Sequence, residues 1–555
     1  QGAGQDDTIV DGGARGSVVT VSPGVTAVIR HLTLTNGRVE PSDAVGWGSG
    51  GGVHNEGRLT LEDVNVNKSV AYMGGGIANE RGELTIRSSI VIHNRAEMGA
   101  GILNNGTWEG AATMLVSHTY IFDNFATVDL FEPTHDDAGA GGGLYNSDHG
   151  LLRVESSDID RNVAERFGGG IQNSEGWSPA AQLWVVDTII RGNNAYGGGG
   201  ISSNGRADIA NTSISNNQAR SAGTDQVDGL GGGIRSTGTL YVTNSTIRGN
   251  YASGVEGVTP GGIGGGIYTD NWSDPQHPNP DVVTLTNVTL AENSADGRGG
   301  NLYVEQGSPQ LKNSILARSP QGGSCAGAAP ASLGYNVVDD GSCALGGPGD
   351  LPAVDPLLGE WGDQGGPTPT YPLLPGSPAV DLVSGGSCTV ATDQRGVPRP
   401  QGLRCDAGAF ELEQPAPGGL LLSYPKGDKV GGVSFADEDI LFLDLAGGRW
   451  AKFFDGSDVG LSHSSIGAFD LLADGTLLLT FDHDTQLPGL GKVVKDQDIV
   501  RFIPQHLGSK TAGSFAWYLR GSELGLGQRG QGLDALTFTP GGALVISPRN
   551  RLVLP

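Results

Sequence analysis

Residues Gly231–Ala252 read GGGIRSTGTLYVTNSTIRGNYA: three glycines, one aliphatic, a run that alternates apolar and polar side chains, then Asn and Ala. The phrase recurs. A small residue, a glycine and an aliphatic meet at Val53, Ile77, Ile102, Leu144, Ile171, Ile201, Ile234, Ile267 and Leu302, in steps from 24 residues (Val53 to Ile77) to 42 (Ile102 to Leu144). The ladder glycines are Gly52, Gly76, Gly101, Gly143, Gly170, Gly200, Gly233 and Gly266. A second series, aliphatic-x-x-Asn-x-Ala, sets Asn94, Asn124, Asn162, Asn193, Asn217, Asn250 and Asn293 each two residues before an alanine. Two ladders in phase with each other are the signature of a repeat architecture.

Between the ladders, runs such as ELTIRSSIVIHN and VTLTNVTLAEN are rich in Thr, Val and Ile and alternate with period two, which is strand patterning. Helical spacing is absent, and the fixed leucine spacing of leucine-rich repeats is missing. The periods fit one coil each of a parallel β-helix carrying loops of different length. Coils stack about 4.8 Å apart, so a tight corner excludes a Cβ, an aliphatic after it points inward, and an Asn amide can bond along the axis to its equivalent. A dozen coils would make a rod on the order of 50–60 Å long.

The totals agree with that reading. The chain has 555 residues, 94 of them glycine, clustered in twos and threes and not placed at every third position, which excludes collagen. A formal charge of −26 makes nucleic acid and anionic membranes poor partners. No apolar run approaches the roughly eighteen residues of a membrane span, and no basic-then-apolar leader precedes Gln1, so a secreted mature form without membrane insertion is expected. Cys325 and Cys343, and Cys388 and Cys405, lie in loop-like surroundings without zinc spacing. They read as two local disulfides in an oxidising compartment, with free buried thiols as the alternative.

The GGGI and IxxNxA phrases resemble repeats of bacterial right-handed parallel β-helices of the pectate-lyase-like superfamily and of polymorphic outer-membrane adhesins. From Gly334 onward, GYNVVDDGSC, DPLLGEWGDQGGPTPTYPLLPGSPAVD and CTVATDQRGVPRPQGLRCDAGAFE resemble the tail of secreted "choice-of-anchor Q" β-helix proteins. That resemblance implies a solenoid over residues 1–415 that closes at this motif, followed by a surface-sorting device. No hydrophobic sorting tail follows LEQPAPGG.

Residues 416–555 read as a separate β domain, a sandwich, barrel or propeller-like unit, because DEDILFLDLAGGRWAKFF…IGAFDLLADGTLLLTF is echoed by DQDIVRFIPQHL…AWYL…LDALTFTPGGALVIS. Each copy offers four short strands, and a leading LLLSY matches the fourth strand of a copy. Asp437 with Asp439, and Asp496 with Asp498, have the spacing that puts two carboxylates on one side of a strand, which makes them calcium candidates or solvated strand-start acids. Asp136 and Asp137 beside His135 are the best carboxylate pair for catalysis, yet adjacent strand residues face opposite ways and a Gly-rich acidic loop is usually just solvated. The sequence therefore assigns no catalytic residue and no cofactor other than candidate calcium. Sequons stand at Asn67, Asn105, Asn211, Asn244, Asn271 and Asn287.

The expected function is a non-enzymatic extracellular structural protein or adhesin. Its partners would be a cell-surface or matrix polysaccharide or further copies of itself, with the surplus LVLP of residues 552–555 as a strand for filament assembly. The alternative is a carbohydrate-active enzyme, a polysaccharide lyase or glycoside hydrolase, with an accessory domain.

Overall fold

The computed structural model describes residues 1–549 apart from 42–47, 108, 132–137, 176–180, 222–228, 255–260, 271–281, 375, 403, 413–418, 446–447, 463, 473–475, 527–531 and 540–542. Two compact units result: Gln1–Leu382 with Val390–Arg399 and Asp406–Leu412, and Val383–Thr389 with Pro400–Cys405 and Glu413–Pro555. Among the described residues no helix is long and apolar enough to cross a membrane.

The first unit is a parallel β-helix. Its glycine face is an 11-stranded parallel sheet in which Ile77, Ile102, Leu144, Ile171, Ile201, Ile234, Ile267 and Leu302 stack in register, each 0–1 % exposed. A 22-stranded sheet holds two strands per coil, such as Glu83–Arg87 and Ile90–Ile92. A 9-stranded sheet of two-residue strands carries the alanines, and Ala96, Ala126, Ala164 and Ala195 stack fully buried. Every pairing in these three sheets is between neighbouring coils, so one continuous apolar core runs up the axis.

The three glycines of a motif are needed for different reasons. Gly231 has φ +69, whereas Gly233 does not adopt a left-handed φ. A Cβ on Gly233 would lie 2.6 Å from the Gly266 carbonyl oxygen and 3.0 Å from Asn250 Nδ2, so this position is glycine for space. The remaining corners use left-handed residues that are mostly not glycine. Ser88, His118, Ser156, Asp187 and Asn211 bend one sheet in two, and His93, Asp123, Arg161, Asn216 and Glu292 precede ladder asparagines, where Gly192 and Gly249 fill the same slot. Such residues cost about 1 kcal/mol or more each and persist because the coils on either side fix them.

The amide ladder is continuous. Asn94, Asn124, Asn162, Asn193, Asn217 and Asn250 each donate from Nδ2 to the Oδ1 of the next, ending on Asn293, at 2.9–3.0 Å. The second Nδ2 hydrogen goes to a carbonyl oxygen such as that of Ile159, and each Oδ1 from Asn124 to Asn293 also accepts the backbone N–H of the Asn before it. Asn293 continues to Asn301, which stands where other motifs have their third glycine, and Asn301 reaches Ser324. A second ladder escaped sequence reading. Asn55, Asn79, Asn104, Asn146 and Asn173 are bonded in series at 2.6–2.8 Å, and Asn173 donates onward to Ser203 Oγ.

The last coils contain the Cys325–Cys343 disulfide, both residues buried in the core, with a Cα–Cα distance of 4.8 Å; the second disulfide joins Cys388 and Cys405. Within the first unit, Pro356–Leu382, Val390–Arg399 and Asp406–Leu412 turn back along the shaft. Thr368 donates to the Asn211 carbonyl, Thr370 meets Thr246 at 2.7 Å, Arg248 stacks on Trp361 and bonds Tyr371, and the Ala409 N–H donates to Thr289. Outward residues of these coils are consequently buried: Thr289 is 1 % exposed, whereas Tyr120 on an uncovered coil is 57 % exposed. The sequon residues Asn244 and Asn287 lie beneath this segment, their side chains turned to the carbonyls of Thr392 and Gly408.

A buried charge network holds the segment in shape. Arg399 is sealed with Glu411 at 2.7 Å and also donates to the carbonyls of Asp406 and Gly408, while Arg395 pairs with Asp393 and stacks on Phe410. Burial, then the Glu411 charge, pushes Asp406 well above the usual carboxylate range, to about 8, although the N–H groups of Leu412 and Asp381 bond its two oxygens.

The second unit consists of antiparallel meanders. Strands 419–423, 440–444 and 449–454 form one sheet, and 466–471, 477–481, 499–506 and 512–519 a second. Strands 533–538 and 544–548 form a hairpin. Sheets and sequence copies are out of phase by two strands. Gly419–Ser423 pairs with Ile440–Asp444 as Leu477–Phe481 pairs with 499–506. Phe454 and Phe502 meet edge to face in the core.

Two outcomes are expected. Gly233→Ala costs about 3 kcal/mol because backbone of the next coil blocks the new methyl. Gly341→Ala, whose Cβ meets nothing within 4 Å, changes stability by less than about 0.5 kcal/mol in chemical denaturation. The second outcome follows from Asp406. Its folded pKa lies above the unfolded value, so its stabilisation is complete below about pH 4 and is lost as pH rises towards 8. Asp406→Asn should therefore gain stability relative to wild type between pH 5 and pH 8 in parallel urea melts, and a constant difference would contradict the assignment.

Candidate binding face

On the glycine face the residue after each inward aliphatic points outward. Strand register lines up His54, Ala78, Leu103, Tyr145, Gln172, Ser202, Arg235, Tyr268 and Tyr303 in one outward row. Two residues further along each strand, a second row carries Glu56, Glu80, Asn204 and Asp270.

The rows are unusual in polarity. Gln172 and Ser202 are 5 % and 0 % exposed, yet among the described residues Gln172 Oε1 and Ser202 Oγ have no hydrogen-bond partner; neither do Asn204 Oδ1, Asp270 Oδ1 or Arg235 Nε, all sealed from solvent. Buried polar atoms in a folded protein are ordinarily paired, so five such atoms on adjacent coils are a local concentration of unmet bonding. The small residues Gly197 and Ser202 leave the hollow that the Arg235 side chain crosses, and its guanidinium lies 5.0 Å from the centre of the Phe167 ring. Tyr268 and Tyr303 stack with centroids 5.8 Å apart and planes 5° from parallel.

The electrostatics follow from burial. Desolvation holds the Arg235 guanidinium below its ordinary range despite the nearby Tyr268 and Asp270, and burial, then the Glu305 charge, raises Asp270 above the usual carboxylate range. Burial first, then Asp270, raises the Tyr268 phenol. A guanidinium donor and a stacked aromatic pair are groups that can recognise a ligand with flat faces and many hydroxyls, which is the chemistry of a sugar chain.

Other candidate residues fall elsewhere. His135, Asp136, Asp137, Asn271 and the LVLP segment lie outside the described residues. Asp439 spends Oδ2 on the Ala436 N–H and Oδ1 on the Gly456 N–H, and Asp498 does the same with Lys495 and Gly521. Asp437 and Asp496 lend their carbonyls to the N–H groups of Ile466 and Leu533. Among the described residues these four do not gather into a cluster able to hold an ion, whereas His54, Glu56 and Glu80 do. Nothing in the repeat pattern announced the two outward rows, because their residues differ from coil to coil.

No family model and no curated protein matches this chain. The solved structure of the pectate lyase Pel9A aligns at 13 % identity over 71 % of this chain and 86 % of that one, with a TM-score of 0.33. The fold assignment rests on strand register and not on that likeness.

A buried guanidinium with an unpaired nitrogen weakens the fold that carries it, whereas a fully paired one does not. Arg235→Leu should leave stability unchanged or raise it by up to about 1 kcal/mol, while Arg399→Leu, which strands Glu411, should cost about 3 kcal/mol or more. Equal losses in denaturant melts would remove the distinction.

Proposed function

We propose that this protein is an extracellular β-solenoid that binds a polysaccharide along its glycine face and serves as a cell-surface or matrix adhesin. The observation that carries the reading is the Tyr268–Tyr303 stack with the Arg235 side chain on the neighbouring coil. A β-solenoid presents equivalent positions about 4.8 Å apart, close to the scale of a sugar repeat, so an extended chain can run across several coils. Two disulfides fit an oxidising compartment. The resemblance of the segment after Gly334 to choice-of-anchor Q proteins supports a surface location.

A second reading has one observation in its favour. Asp270, with its raised pKa, shares the face with Arg235, and a carboxyl and a guanidinium pushed away from their ordinary ranges are the sort of pair that acid–base chemistry on a polysaccharide uses. One experiment separates the readings. Purified protein is incubated with a panel of neutral and acidic polysaccharides, with binding measured by affinity electrophoresis and bond cleavage by new reducing ends or unsaturated uronates. Binding to a member of the panel, lost in Arg235→Ala and Tyr303→Ala and unaccompanied by cleavage, is the expected result. Cleavage abolished by Asp270→Asn would replace the adhesin with an enzyme.

A further inference from the structure

At the N-terminal part of the glycine face three potential ligands converge from two coils. Register pairs His54 with Ala78 and Asn55 with Asn79, so the next pair along is Glu56 beside Glu80. Period-two alternation keeps His54 and Glu56 outward while Asn55 points inward to its ladder. His54 Nε2 lies 3.3 Å from Glu80 Oε2, and one nitrogen and two carboxylate oxygens from His54, Glu56 and Glu80 all fall within 4.8 Å of one another. The three side chains are half-buried, 24 %, 25 % and 21 % exposed.

Two carboxylates side by side on adjacent strands repel. Here one is answered by Arg81, 3.2 Å from Glu56, and the other by His54, which its bond to Glu80 keeps more basic than an ordinary imidazole. Burial alone would raise Glu80, but bonds from His54 and the Ser49 hydroxyl outweigh it and hold the carboxylate ionised. Arg81 on Glu56 and Ser49 on Glu80 form outer hydrogen bonds of the kind that fix carboxylate ligands in metal sites.

We propose that His54, Glu56 and Glu80 bind a divalent first-row transition ion of the zinc type, with the outward side of the site open to water. The imidazole nitrogen sets the class: one nitrogen and two carboxylate oxygens suit zinc or manganese, whereas calcium takes oxygen ligands in larger number. On binding, the ion displaces the proton of the His54–Glu80 bond and turns the repulsion between the two carboxylates into shared ligation. The proposal stands apart from the polysaccharide reading, since Arg235 lies six coils away, about 29 Å along the axis.

The test is calorimetric titration of the untagged, metal-stripped full chain with zinc chloride, repeated with manganese and calcium chloride, with a thermal melt at each end point. One zinc per chain is expected, with a raised melting temperature. His54→Ala and Glu80→Gln should each weaken zinc at least about tenfold while keeping the wild-type melt of the metal-free protein. Absence of zinc binding in the wild type, zinc binding unchanged in both variants, or calcium bound more tightly than zinc would each overturn the proposal. Because the metal-free melt is read separately, a variant that fails to fold is recognised, and Glu56→Gln then supplies the decision: zinc bound as tightly as by the wild type rejects the site.

Discussion

The spacing of about 4.8 Å between coils is the constraint on which the rest of the β-helix depends. It is set by backbone hydrogen bonds between parallel strands, and side chains must conform to it. Where a Cβ would press 2.6 Å from a carbonyl oxygen of the next coil, only glycine fits. Where the backbone turns away from its sheet, a carboxamide can span the repeat with a donor on one side and an acceptor on the other, which a hydroxyl or carboxylate cannot do in an unbroken series. Both asparagine columns run the same way, each donating towards the C-terminal coils, so their dipoles add along the axis and polarise one another. The first column begins with a backbone donor, the Ser69 N–H to Asn94, and ends on the Ser324 hydroxyl, so neither end leaves an amide stranded.

How legible this was depended on whether a residue repeats. The Gly and Asn-x-Ala series stood out because each must recur in every coil. The ladder from Asn55 to Asn173 was equally regular, but it gives way to Ser203 and Ser236 halfway along, and a series that changes residue type loses its signal. Asn301 was hidden for the opposite reason, since it supplies the last rung from the glycine corner and not from the expected strand end. The left-handed corners were invisible because a serine, histidine, aspartate or arginine all serve once neighbouring coils over-determine the turn. The tail after Gly334 also uses the side of the shaft, which its sequence did not announce: Thr370 and Gln394 find their partner in Thr246, an outward position more than a hundred residues earlier.

Inward rows obey the repeat, and outward rows escape it. That freedom is why the candidate face could not be read from sequence and also why function can reside there. The coils that carry Gln172, Ser202, Arg235 and Tyr268 have ordinary inward aliphatics, so nothing in the fold requires a guanidinium or an orphaned amide at those positions. A locally unfavourable choice on an otherwise self-consistent scaffold is the pattern expected where binding has overridden stability. The Arg399–Glu411 pair shows the contrast within one chain. It is sealed more completely than Arg235, but every partner it needs is present, and its effect is to fix the covering segment.

The C-terminal unit contains its own control for separating fold from addition. Asp439 and Asp498 hold equivalent turns, each taking one N–H three residues back and one from the following strand connection, and Gly460 and Gly525 end equivalent single-turn helices in the left-handed conformation. What both copies share is therefore the requirement of the turn. Lys452, which reaches Asp439 and Asp455, has no counterpart: aligning Trp450 with Trp517 sets Leu519 opposite it, and Asp455 falls in a stretch that the second copy lacks. Since Asp498 is held without a lysine, the ammonium is not what fixes this turn. It compensates the half-buried Asp455 that came with the longer connection, a local charge correction and not part of the repeat's design.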